Sequence, residues 1–385
     1  MEMKHNRKII YLAGFLFSIP MALTSYINSS FLESYVSEFY VGIIYVIASI
    51  ITIWSLLKMP KIVARLGNKL TIILFSFLIF LSFILLAFGN TVSIIIPAFI
   101  LYFISINFII ASLDIFIEDF SKNSPVGSLR GFYLMVINFA WVIAQIISGS
   151  IIDKSSFLGI YLFSAGFMVL VLFTFIMFLH DFKDEKYKRL SIFKTIKIFI
   201  ENKHLSKIYL INLIVKFFFA WMVIYTPIYL HEYLGFDWNS TGIIFSIMLL
   251  PFVLLDFPLG KLSDTIGEKR MLIAGFFITI LSVLVIPFIK EPSLWLWAFI
   301  LFMTRVGAAT VEVMSESYFF KVINKDECPN EISFFRNTFA LSYIIAPALA
   351  IPILLFVPSF KYLFFVLSAI LLIGFFITLK LRDVK

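Results

Sequence analysis

GKLSDTIGEKR, residues 260–270, is a short polar and charged stretch between two long apolar runs. An earlier stretch, PKIVARLGNKL at residues 60–70, stands 200 residues before it. The two align without a gap through ARLGNK at 64–69 and DTIGEK at 264–269. The same interval relates VGIIYVIASI at 41–50 to TGIIFSIMLL at 241–250. A further correspondence is chemical. Asn107, Asp114 and Glu118 are spaced by seven and then four, and Arg305, Glu312 and Glu316 repeat that spacing 198 residues later. Such intervals place each set on one face of a helix. Matches that keep the same order predict two related halves of like topology.

The composition identifies the solvent. The chain has 385 residues, 61% hydrophobic and 14% charged, with a mean hydropathy of +1.02. A soluble domain of this size needs frequent charge on its exterior, whereas here charge is confined to short intervals between apolar runs. Lipid suits such a chain. A helix needs roughly 20 mainly apolar residues to cross the hydrocarbon. Runs of that kind fall at 9–31, 40–58, 70–89, 92–118, 129–151 and 156–180, then at 208–230, 239–258, 270–289, 294–318, 334–356 and 360–380. The expected fold is an all-α membrane protein with twelve transmembrane helices in two parallel six-helix repeats. Residues 1–180 form the first bundle and 208–385 the second, with a cytoplasmic linker at 181–207.

Basic residues test this count. With the N-terminus in the cytoplasm, all but five of the 31 Lys and Arg side chains fall on that side. Lys154, Lys290 and Lys361 lie outside, and Lys216 and Arg305 lie within spans. This is the positive-inside pattern, with both termini cytoplasmic. The N-terminal apolar run shows no small-residue cleavage site and reads as a retained span. In the linker, Leu190, Phe193 and Ile196 share an apolar face with Lys194 and Lys197 toward the polar side. That pattern fits an interfacial helix or a plain tether.

Several functions are excluded or disfavoured. Cys328 is the single cysteine, so no internal disulfide or multi-cysteine metal site forms. The four histidines lack metal-binding spacing, and no phosphate-binding GxxxxGK[ST] loop is present. No cofactor is expected, no nucleophile–base set marks an enzyme, and the distribution of the +8 charge follows topology rather than nucleic acid.

With these features in place, the chain resembles the major facilitator superfamily. Residues 260–270 are similar to that family's cytoplasmic signature, G-x-L-x-D-R-x-G-R-K-R. Gly260, Leu262, Asp264, Gly267, Lys269 and Arg270 match, while Thr265 and Glu268 depart from the usual basic residues. The first-half copy keeps Arg65, Gly67 and Lys69, but Pro60 replaces glycine and Ala64 replaces the aspartate. The glycine-rich fifth-span signature of drug–proton antiporters is absent from RGFYLMVINFAWVIAQIISGSIID.

The resemblance implies a site near the bilayer midplane between the halves, lined by spans one, four, seven and ten. It directs attention to Arg305, Lys216, Asn107 and Asn28 as substrate-binding candidates. Arg305 and Lys216 read as the deepest charges, with no carboxylate at equal depth, so an anionic or carboxylated solute is favoured. Trp141 with Gln145, and Trp221 with Tyr225, share helix faces that suit either an organic ligand or interhelical packing. The resemblance also assigns a cytoplasmic gating network, carried over to Asp264, Glu312, Glu316, Arg336 and Arg270, with Asp114, Glu118 and Arg130 as first-half counterparts. Asp256, between Pro251 and Pro258, is the candidate coupling residue.

The expected function is secondary transport of a small organic solute by alternating access, with a proton as candidate co-substrate. Alternatives are a drug or lipophilic-compound exporter, a facilitative carrier, and a non-transporting membrane receptor. The expected setting is a monomer among the lipids of a bacterial inner or plasma membrane.

Overall fold

The computed structural model describes residues 2–25, 27–36, 38–119, 126–178, 192–323, 328–356 and 359–382. Among them every regular element is a helix. Ten helices are long and apolar enough to cross a membrane, and the bent pair Tyr40–Leu56 and Met59–Leu66 makes up to eleven. The shorter apolar helix Gly131–Gln145 occupies the position expected for the fifth span. Among the described residues each of the twelve expected runs overlaps a helix, and the fold is that of an integral membrane protein. Exposed side chains such as Leu74, Phe77 and Leu81 in the third span, or Phe277 and Leu281 in the ninth, form the apolar exterior.

Local chemistry explains where helices break. The first span stops at Ser25, short of the expected residue 31, and a separate helix, Asn28–Glu33, follows. There Thr24 Oγ1 donates to the Pro20 carbonyl at 2.9 Å and Ser25 Oγ to the Ala22 carbonyl at 3.1 Å. Hydroxyls that bond back in this way compete with the backbone ladder. The second span bends by 50° just before Pro60. Pro60 lies in the first turn of the new helix, where a missing N–H is tolerated. Its counterpart Gly260 leaves the eighth helix, Trp238–Ile266, unbroken at this point. A residue with positive φ ends the helix within both copies of the polar stretch, Gly67 at φ 81° and Gly267 at φ 91°. Glycine adopts that region without a Cβ penalty, so the two halves repeat a backbone turn as well as a sequence.

The residues pack as two compact units. Unit 1 comprises Met1–Asn123, Ser150–Ile198 and Ile323–Leu341; unit 2 comprises Ser124–Gly149, Phe199–Val322 and Ser342–Lys385. In unit 1 the fourth span, Val92–Glu118, packs on the first, second and third. In unit 2 the tenth span, Leu294–Val322, packs on the seventh, eighth and ninth. Each hub is covered on most sides, so polar residues on it are withdrawn from lipid. These hubs carry the two repeated polar triads.

Each unit also contains a segment from the other sequence half. The fifth span belongs to unit 2, and the start of the eleventh belongs to unit 1. A Cβ at Gly131 would meet the Asp256 carbonyl oxygen at 2.4 Å and Gly260 Cα at 3.0 Å, so only glycine permits the fifth span to sit this close to the eighth. Phe132 closes the same contact edge-to-face on Phe257, with centroids 5.6 Å apart.

Candidate functional site

In unit 1 the fourth-span triad is buried throughout. Asn107 donates its amide to the Phe103 carbonyl of its own helix at 2.8 Å. Asn28 lies in the short helix after the first span, and its Oδ1 accepts from the Tyr161 hydroxyl at 2.9 Å. Beside it the Thr24 and Tyr102 hydroxyls are 2.7 Å apart. Deeper along the fourth span, Asp114 Oδ2 lies 2.5 Å from Arg336 Nε. The acid is 2% exposed and the base 12%, so this is a buried charge-assisted bond. Glu118, one turn on, is buried as well. The resemblance groups Arg336 with the second-half acids Asp264, Glu312 and Glu316 in one gating network. The structure brings it instead to the first-half acid, because the eleventh span begins inside unit 1.

Unit 2 holds a longer chain of groups. Asn138 of the fifth span donates to Asp256 Oδ2 at 2.8 Å. Asp256 is fully buried, and its Oδ1 has no hydrogen-bond partner. Glu312 is a charge neighbour of Asp256 and accepts from Lys216 Nζ at 2.6 Å. Lys216 Nζ lies 5.5 Å from the centroid of Phe219, and the Arg305 guanidinium lies 5.6 Å from the same ring and 4.8 Å from Phe218. Cation–π contact supports both charges where water is scarce. Four ionisable side chains from the seventh, eighth and tenth spans are thus linked through one interior region.

This corrects one expectation. The sequence reading placed no carboxylate at the depth of Lys216, but Glu312 is bonded to it. The resemblance puts Glu312 among the inner gate residues, and helical spacing gives only the face it shares with Arg305 and Glu316, not the neighbour it meets across the bundle.

The other candidates separate. Trp221 is fully buried, edge-on to Tyr225 with centroids 5.3 Å apart and against Phe217 at 5.1 Å. Its indole nitrogen has no hydrogen-bond partner. Gln145 and Glu316 are buried in unit 2, Trp141 is half-buried, and Arg270 is exposed. The side chains of Asp264 and Arg130 lie outside the described residues, as does Leu190 of the linker.

Two participants were missed in the sequence. Asn138 carries no charge and sits in an apolar run, yet it stands 198 residues before Arg336, the interval that relates the two triads. Glu268 appeared only as a departure from the family signature. It is fully buried, 2.6 Å from Lys321 Nζ, and accepts from the Ser317 hydroxyl at 3.1 Å. Glu268 opens the ninth-span helix and Lys321 lies in the last turn of the tenth, so each charge also complements its helix dipole. Among the described residues no cluster of His, Cys, Asp and Glu forms a metal site.

The comparisons agree with this architecture. A family model described as Major Facilitator Superfamily matches twice, over residues 10–250 and 218–385. No curated protein matches the sequence. Among solved structures, the human organic anion transporter MFSD10 (TETRAN) superposes with a TM-score of 0.78 at 14% identity, covering 98% of this chain and 100% of that one. Because 303 solved chains match, the fold by itself does not discriminate among substrates.

Proposed function

This chain belongs to the major facilitator superfamily and is a secondary transporter rather than an enzyme, and we propose that it moves a small organic anion together with a proton. The observation that carries this reading is the environment of Asp256. Its bonded partner is an amide, Asn138, which neutralises no charge, and its second oxygen is unpartnered. It can therefore take and release a proton without breaking an ion pair. Glu312, by contrast, is committed to Lys216.

Charge balance connects the proton to the substrate. With Asp256 ionised, the charges of Asp256, Glu312, Lys216 and Arg305 sum to zero. A proton on Asp256 leaves them with one positive charge, and Arg305 presents the planar donor fork that suits a carboxylate or phosphate. Proton binding thus favours anion binding, which is the coupling a symporter needs. The organic-anion title of the fold neighbour is in keeping with that class, at an identity that speaks for the fold alone. In this reading alternating access operates between the halves 1–180 and 208–385, joined by the 181–207 linker. Both termini face the cytoplasm, and the helix Ile192–Glu201, with Phe193 84% exposed, lies in the membrane interface.

The test is uptake into proteoliposomes of a panel of radiolabelled carboxylates and sugar phosphates, with and without an inward proton gradient. A gradient of one pH unit is worth about 1.4 kcal/mol per proton and supports about tenfold accumulation. Wild type should accumulate its anion under the gradient. Asp256→Asn should keep downhill exchange and lose accumulation. Equal gradient dependence in both proteins removes Asp256 from coupling, and movement of neutral or cationic solutes alone removes the anion.

A further inference from the structure

Three separate links of unit 2 meet at a cleft of about 320 Å³. They are the end of the seventh span, the link after the ninth and the link before the twelfth. Past Pro227 the seventh span widens into a π turn, Tyr229–Tyr233, in which the Leu234 N–H donates to the Tyr229 carbonyl at 3.2 Å. Such turns are rare and are found frequently at functional sites. Here the turn brings the Tyr229 and Tyr233 rings within 6.0 Å, nearly parallel. Phe360, from the far link, stacks on Tyr229 at 5.5 Å and lies 4.7 Å from Tyr233. Tyr229 is itself held by Trp297 and Phe364, so the cleft has a rigid aromatic floor.

Lys290 and Lys361 also line this cleft. They are two of the three basic residues that the charge pattern leaves on the outer side. Two lysines lining one cleft attract an anion of matching size. The surroundings indicate what kind of anion. Phe288 and Trp295 flank Lys290 in sequence and are 71% and 72% exposed, and Tyr362, beside Lys361, is 50% exposed. Phe365 joins the two sides, lying 5.9 Å from Phe288 and 6.2 Å from Tyr362. Exposed aromatics next to lysines at the ends of spans are the pattern of a membrane interface. We propose that this cleft binds the phosphate of an anionic phospholipid headgroup, with Lys290 and Lys361 holding the phosphate and the aromatic ridge packing on the glycerol and upper acyl chain.

The cleft uses none of the residues in the interior network, so its test stands apart from the transport reading. Full-length protein in neutral detergent is titrated with phosphatidylglycerol or phosphatidylcholine, and retained lipid is read by native mass spectrometry. Inorganic phosphate is titrated in parallel by thermal shift. Wild type should retain phosphatidylglycerol preferentially. Lys290→Gln should weaken retention about fivefold and Lys290→Gln with Lys361→Gln about thirtyfold, while the double Lys→Arg variant retains it. Lysine-dependent stabilisation by inorganic phosphate, without preference between the lipids, assigns the cleft to a soluble phosphate and overturns the lipid. Equal retention of both lipids with no phosphate effect, or Gln variants that behave as wild type, overturns the site. Should the double Gln variant not fold, the single change at exposed Lys290 carries the comparison.

Discussion

Two segments enter the unit built mainly by the other sequence half, and each brings a partner to a buried acid. The eleventh span brings Arg336 to Asp114 in unit 1, and the fifth brings Asn138 to Asp256 in unit 2. The partners stand 198 residues apart, at the interval of the internal repeat. Their chemistry differs. A guanidinium neutralises Asp114, and because the two residues belong to the halves 1–180 and 208–385, the proposed alternating access parts this ion pair when those halves separate. An amide satisfies one oxygen of Asp256 without neutralising it, and under the proposed coupling a proton does so. The two segments thus deliver an ionic contact to one acid and an amide contact to the other. The repeat relates the partners at 138 and 336 but not the acids, since the counterpart of Asp114 is Glu312 and Asp256 stands in the eighth span.

The largest expected effect comes from breaking the ionic contact. Asp114→Asn or Arg336→Gln leaves one charge buried without its partner, which costs about 3–5 kcal/mol. Thermal unfolding of the purified protein should register that loss. The double change, Asp114→Asn with Arg336→Gln, should recover part of it, because no orphan charge remains. Single variants as stable as wild type mean that the pair is solvated and the contrast between the units is false.

The unequal legibility of these features follows from physical range. The spans were readable because burial in lipid demands a long apolar run, whereas Gly67 and Gly267 were legible only as signature matches and their shared positive-φ turn emerged from the backbone. The hub helices were partly readable through the repeated triads. Contacts across helices were not. The spacing of Glu312 and Glu316 fixes their shared face, but Lys216 comes from another span, so the 2.6 Å pair exists only once the helices are assembled. Asn138 escaped notice because it adds no charge. Glu268 drew attention for breaking a pattern, and its reason, Lys321, lies more than fifty residues away in sequence. Pro60 was seen as a lost glycine, while its consequence, a 50° bend, depends on which turn of the helix it occupies.

A sharper test converts one contact into the other. Asn138→Arg gives Asp256 an ionic partner like the one Asp114 already has. The acid would then have to release that partner before taking a proton. Gradient-driven accumulation should fall about tenfold or more, while the melting temperature stays near or above wild type. Loss of stability together with activity means that the fifth span, packed at Gly131 without room for a Cβ, cannot admit the longer side chain. Arg305→Lys then separates the two roles. It keeps the charge balance and removes the donor fork, so it should weaken anion binding without altering the proton dependence of uptake.

The smallest effect is the most diagnostic of what the amide contributes. Asn138→Leu removes a single hydrogen bond to Asp256, worth about 1 kcal/mol. If Asp256 spends part of its cycle protonated, that state tolerates an apolar neighbour better than the ionised state does. The variant should then bind its proton more readily and release it more slowly, shifting the pH dependence of uptake upward with only a small fall in thermal stability. If Asp256 is instead ionised throughout, removing the amide leaves a buried charge with no bonded partner. The penalty would then approach that of Asp114→Asn. Melting curves of the two variants side by side distinguish these cases: a small loss at 138 beside a large one at 114 retains the division between a titratable and an ion-paired acid, and equal losses abolish it.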